Sequence, residues 1–209
     1  TSNRLMNSKP FSLLPLFIFM PLSWINAIEI AFDFKDPKNV NNIIFQMDAP
    51  LESINGSADG ISGKVLFDPK NPASTKGKIV LEAKSLHVGN PVLKEHMLGK
   101  DWLHVEKFPM ITFNLNQLKN TKKDGPHITG QAQGKMNIRN VTLDMEIPVK
   151  ITFLEGMLEK RNRVKGDLLI IRSKFIVKRN DFNIQADQKL EKVANDIEIS
   201  LNVAGAAPM

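Results

Sequence analysis

The sequence predicts an all-β protein, an antiparallel barrel of about eight strands with one short helical insert. Three observations lead there. Apolar and polar residues alternate with a period of two through most of the chain after residue 27, as half-buried strands require. Turn-forming clusters, "NGSADG", "DPKNPAS", "KKDGP" and "KRNR", punctuate the alternation. One stretch, "NPVLKEHMLG", changes to helical spacing behind an asparagine suited to capping. Many strands with one apolar face must stack as a sandwich or close on themselves. About eight of them, closed, surround an interior that side chains fill or that holds one small ligand.

In chain order, the apolar run "LLPLFIFMPLSWI" follows Arg4 and Lys9 with no acidic residue before it and leads to the small residue Ala27. That is the pattern of a secretory signal peptide over residues 1–27. A membrane anchor would need about 20 apolar residues, and this run is shorter and broken by Pro15 and Pro21. "MNSK" from Met6 would itself begin a basic leader. The mature chain, residues 28–209, is then expected in the periplasm or secreted, with no stable membrane span after cleavage. It contains no cysteine, so it has no disulfide to lean on and no acylation site of a bacterial lipoprotein. Its charge is mild: 28 basic and 22 acidic residues give +6, and removing Arg4 and Lys9 leaves +4. The basic residues are scattered, with no tyrosine and one tryptophan, Trp102, after the leader. That pattern argues against a nucleic-acid groove, which interleaves cations with stacking aromatics.

Strands are expected at Ile28–Phe34, Ile43–Asp48, Ile61–Phe67, Lys78–Ser85, Ile111–Leu118, Ile128–Ile138, Val141–Phe153, Val164–Val177 and Asp196–Val203. In the seventh, Val141, Leu143, Met145, Ile147, Val149, Ile151 and Phe153 are apolar while the even positions are mostly polar. Pro148 falls on the polar parity, which suggests a bulge or an edge. Between the fourth and fifth strands, Asn90 caps a helix with Pro91 at its first position and Gly99 at its end. Val92, Leu93, His96 and Met97 share one side of it. Asp101 is placed to cap a second short turn, "DWLHV".

Local chemistry is sparse. His87, His96 and His104 are separated by nine and eight residues, which matches no short zinc-ligand spacing. A metal-dependent or hydrolytic enzyme built on this insert is the alternative reading, and it requires the three histidines to converge. Ser85, His87 and Asp101 could be written as a triad, but no "GxSxG" elbow occurs. "GQAQGKM" has one residue too few between its glycines for a phosphate loop, and methionine where Ser or Thr is required. A third class is a dimeric interaction module with a solid interior.

"GNPVLKEHMLGKDWLHVEKFPMITFNL" resembles the central signature of the YceI-like family, in which a helix containing a recurrent histidine and an Asp-aromatic turn lead into a Pro-x-Ile-x-Phe strand. "ISGKVLFDPKNPASTKGKIVLEAKSLHVGN", "GKMNIRNVTLDMEIPVKI" and "RNDFNI" resemble the family's segments on either side, so the likeness runs from about Ile28 to Val203. It implies a lipocalin-like barrel, exported to the periplasm, that binds a polyisoprenoid or isoprenoid quinone chain in its interior and is not an enzyme. It also implies that the Asn90–Val105 insert is architecture at one end of the barrel and that no cofactor other than the bound lipid is needed. A homodimer is compatible with the pattern. By strand parity, Phe45, Phe67, Leu81, Phe113, Leu115, Ile147, Val149, Ile170 and Phe175 are expected to line the interior, with His96 and Trp102 near one end. Asn140 and Asn183 stand where the family usually has glycine, and asparagine tolerates a positive φ. Asn41 or Asn42 stands where many members have histidine. "GMLEKRNRVKGDLL" departs from the family pattern and reads as an extended hairpin loop.

Overall fold

The computed structural model describes residues 28–209, so the expected signal peptide lies outside the described residues. Among the described residues, eleven strands form one sheet. β1 (Ile30–Asp33), β4 (Ile61–Phe67), β5 (Lys76–Glu82), β7 (Met110–Asp124), β8 (His127–Ile138), β9 (Val141–Leu154), β10 (Gly166–Lys178) and β11 (Asp196–Pro208) follow one another around a ring. Pairing of Asp33 with Ala206 closes that ring, giving an eight-stranded antiparallel barrel. The remaining strands, β2 (Asn42–Asp48), β3 (Ser53–Ala58) and β6 (His87–Val88), continue β1, β4 and β5 upward: β2 pairs with β11 and β3, and β3 with β6. Each of the first three staves is therefore one strand with a break in it.

The β1–β2 break is held by Asn41. Its buried amide donates to the carbonyls of Phe34 (3.0 Å) and Ala204 (3.1 Å), and its side-chain oxygen accepts from Ala204 N (2.8 Å). The break takes the chain out of ladder register, so these backbone groups need a side chain to satisfy them. Asp36, in the same loop, accepts from the backbone N–H groups of Lys38, Val40 and Asn41 and from both terminal nitrogens of Arg161.

Sequence expectations meet the ladder closely in most strands. Ile61–Phe67 is a strand over that same range, and Val141–Leu154 extends the expected one by a residue. In β7 a register shift between Leu115 and Gln117 lets Leu115 and Leu118 both enter the interior, because an extra residue reverses the side-chain alternation. The β8–β9 turn has Arg139 at φ 49° and Asn140 at φ 64°, the conformation of a tight two-residue hairpin. Asn183, at φ 54°, likewise takes the left-handed conformation.

Some expectations need correction. "NGSADG" is not a turn throughout: Asn55 to Ala58 belong to β3, where pairing with β2 outweighs their turn propensity, and the chain turns only at Asp59 and Gly60. Gly56 is required there, since a Cβ would fall 2.1 Å from the ring of Phe45. Pro148 makes no bulge against β8, where it pairs with Gln131. Instead the β9–β10 ladder stops beside it, at Val149 and Ser173. "DWLHV", by contrast, forms hydrogen-bonded turns, as expected. Residues 155–165 connect β9 to β10 through a short helix, α2 (Leu158–Asn162), which Arg163 ends at φ 60°.

Candidate ligand cavity

The barrel is solid at one end and hollow toward the other. At the solid end Phe32, Phe34, Phe67 and Leu169 have no exposed surface. Phe32 meets Phe67 and Phe153 edge-on at 6.4 and 6.2 Å between ring centres, and Phe67 lies 5.6 Å from Phe153, within the range of favourable aromatic packing. Leu158 of α2 is buried over this end. Gly205 is there because the Phe34 ring would stand 2.6 Å from any Cβ.

Above the plug lies an inner chamber of about 110 Å³, lined by Leu115, Leu118, Ala132, Ile147, Val149 and Ile171 among others. A larger chamber of about 330 Å³ continues toward the opposite end. The two share Ile43, Leu81, Ile111, Met136 and Phe175 in their walls, so they adjoin. The combined space sits near the lower end of the range for small-molecule sites.

Three segments cover the larger chamber. The first is the insert: α1 (Pro91–Leu98), whose N-cap Asn90 accepts from the N–H groups of Val92 (2.9 Å) and Leu93 (3.1 Å). Leu93, His96 and Met97 of α1, then Trp102 and Leu103, face the chamber, whereas Val92 is exposed. The second is the β2–β3 hairpin with Met47, Glu52 and Ile54. The third is the loop from residue 183 to 195, supplying Ile184, Lys189, Lys192 and Val193.

That loop has almost no regular structure and is organised by a buried arginine. Arg179 is 1% exposed. Its Nε donates to Ala194 O, one terminal nitrogen to Ile184 O and Gln185 O, and the other to Gln188 O and Val193 O. All five guanidinium N–H groups are thereby used. Burial lowers the pKa of Arg179, and the carboxylate of Asp187 opposes the shift. The side-chain amide of Gln185 donates to Asp101 O at 2.9 Å, tying the loop to the insert.

Nine of the eleven residues expected in the interior border a chamber: Phe45, Leu81, His96, Trp102, Phe113, Leu115, Ile147, Val149 and Phe175. Phe67 points inward but belongs to the aromatic plug. Ile170 is a correction, because the odd positions of β10 face inward and Ile171 takes the place assigned to it. In the apolar run Leu168–Ile171, alternation does not reveal parity; the ladder does, pairing Ile171 with Val203. Arg179, Ile184 and Val193 carried no signal as lining residues, since they lie outside any periodic strand.

The histidines do not converge. His87 is exposed, its Nδ1 3.4 Å from the Lys94 ammonium; His96 faces the larger chamber; His104 sits in a turn at φ 48° with its ring edge-on to Phe108. Among the described residues no three His, Cys, Asp or Glu side chains are placed to hold a metal ion. The convergence that a metal-dependent reading of this insert requires is not seen among the described residues, and the interior is hollow where the third reading expected it solid. Chemically, the cavity can remove an elongated hydrocarbon from water, and its few polar groups, His96, Arg179, Lys189, Lys192 and Glu52, collect in the walls of the larger chamber.

Comparison with known proteins agrees with this geometry. A family model described as the YceI-like domain matches residues 35–205. A UPF0312 protein of Yersinia pestis is 28% identical over 150 residues, 72% of each chain, and one of Yersinia enterocolitica is 27% identical over the same length. Among solved structures, BcnA of Burkholderia cenocepacia superposes with a TM-score of 0.61 at 20% identity, over 78% of this chain and 94% of that one. A polyisoprenoid binding domain from Saccharophagus degradans, implicated in plant cell wall breakdown, gives 0.62 at 11% identity, over 86% and 99%. At these identities the structures share the fold.

Proposed function

Because the chain belongs to the YceI-like domain family, we propose that it is a binding protein, not an enzyme, for a long apolar lipid of the polyisoprenoid or isoprenoid quinone type. The observation that carries this reading is the cavity: two adjoining chambers with almost wholly apolar walls, plugged by phenylalanines at one end. Each CH₂ moved from water into such a space gains about 0.8 kcal/mol, so a tail can be held with little polar recognition. The ligand named for the Saccharophagus degradans domain supports the lipid class. His96 and the cations near Trp102 would meet the polar end of the molecule. The leader-like residues 1–27 support action outside the cytoplasm, in carriage, storage or stress response. Mass spectrometry of organic extracts from the natively purified protein tests the reading. A stoichiometric prenyl lipid is expected; an empty protein that also fails to take up isoprenoid quinone from detergent solution overturns it.

A further inference from the structure

The outer wall of the barrel carries a feature that lipid storage does not require. Strand register places Lys122 beside Thr129, Thr129 beside Lys150, and Lys150 beside Arg172, one row across β7 to β10. Lys174 follows two residues along the same outward face of β10. These four exposed cations line an open depression of about 590 Å³ with no carboxylate in its wall. Lys150 and Arg172 stand directly opposite each other, an arrangement that destabilises a sheet unless something neutralises it. Other lysines on the wall are neutralised from within: Lys119 reaches Glu146 at 3.3 Å and Lys135 reaches Asp144 at 2.9 Å. Among the described residues none of Lys122, Lys150, Arg172 and Lys174 has an ion-pair partner.

Size and flanking residues define the occupant. Three strand spacings of about 4.8 Å separate the two ends of the row, roughly 14 Å, which is wider than one phosphate. The outward side chains of β10 run Ile170, Arg172, Lys174, Ile176, with Ile176 50% exposed. Across β11, Ser200 pairs with both Lys174 and Ile44, and Ile44 is 51% exposed. Cations flanked by exposed isoleucines match the headgroup layer and the shallow hydrocarbon of a membrane surface.

We propose that this wall docks the barrel on an anionic lipid bilayer, with Lys122, Lys150, Arg172 and Lys174 on the headgroup phosphates and Ile44 and Ile176 at the acyl boundary. The inference goes beyond the cavity's lipid reading, because docking is read without reference to what the cavity holds.

The test is co-sedimentation of the full chain with phosphatidylcholine vesicles, with and without phosphatidylglycerol, at low and high salt. Binding is expected only with phosphatidylglycerol and should weaken with salt. The K150Q/R172Q variant should partition roughly 30-fold less, given about 1 kcal/mol for each cation near an anionic surface. A K76Q/K135Q variant of equal net charge, with both changes away from the row, should bind like the parent. Thermal melting of the double variant, expected to be no lower than the parent's, separates lost docking from lost folding. No binding to anionic vesicles, equal loss in both variants, or abolition of binding by free inorganic phosphate at low concentration would each overturn the proposal. A failure here would leave the cavity's lipid reading standing, since extraction tests that reading separately.

Discussion

Arg179 holds its guanidinium carbon 5.6 Å from the centre of the Trp102 ring while donating into five backbone carbonyls of the loop behind it. One side chain thus joins two of the three segments that cover the cavity. Replacing Arg179 by alanine leaves those carbonyls buried without donors, and a loss of about 4 kcal/mol in unfolding free energy is expected. Urea unfolding measures it. A variant with unchanged stability would show that the loop is held by other contacts.

Met136 borders both chambers. Met136→Trp should fill the junction, at a folding cost of about 1–3 kcal/mol from overpacking. If it excludes about two methylenes of a bound tail, affinity falls about tenfold. Displacement of a fluorescent fatty-acid probe reads this. Unaltered affinity would place the tail elsewhere.

Asn41 spans the break in the first stave with three hydrogen bonds at buried backbone groups, one to Phe34 and two to Ala204 of β11. Asn41→Ala should cost about 3 kcal/mol. Faster hydrogen exchange at Ala204, seen by NMR or mass spectrometry, would locate the loss at the seam; protection as in the parent would contradict it.

Asp36 supplies an acid-sensitive contribution. Burial alone would raise its pKa, but the hydrogen bond from Arg161 and those from the backbone of Val40, Lys38 and Asn41 outweigh this and hold it at about 2. A carboxyl depressed in the folded state stabilises above its unfolded pKa, and that stability is lost as pH falls through the folded value. The parent should therefore weaken from about pH 4 down to pH 2. Asp36→Asn should be less stable at neutral pH and show a smaller decline over that interval. Parallel denaturation curves for the two proteins across that range would refute the assignment.

Much of the architecture was legible because alternation is a direct record of which face is wet. β4 and β9 declare their parity at nearly every position, and Asn90, Pro91 and Gly99 mark both ends of α1. Legibility failed where alternation is absent. β3 is too polar and too rich in turn formers to register as a strand, and exists because β2 offers it a ladder. Ile170 and Ile171 are equally apolar, so only the partner strand distinguishes them. Phe67 was assigned the right face, yet no sequence pattern tells a plug from a lining. The loop held by Arg179 was hidden for a deeper reason: an arginine that is almost fully buried contradicts the ordinary placement of its residue type.

The phenylalanine cluster of Phe32, Phe67 and Phe153 has a consequence for how guests are sorted. It gives the interior a fixed floor, so a guest that descends to it begins at the same depth whatever its size. Any surplus length must then extend to the rim formed by α1, the β2–β3 hairpin and the Arg179 loop. The barrel is in that sense a gauge, and a homologous series of tails should bind more tightly with each added unit until the floor and the rim are both reached, then level off.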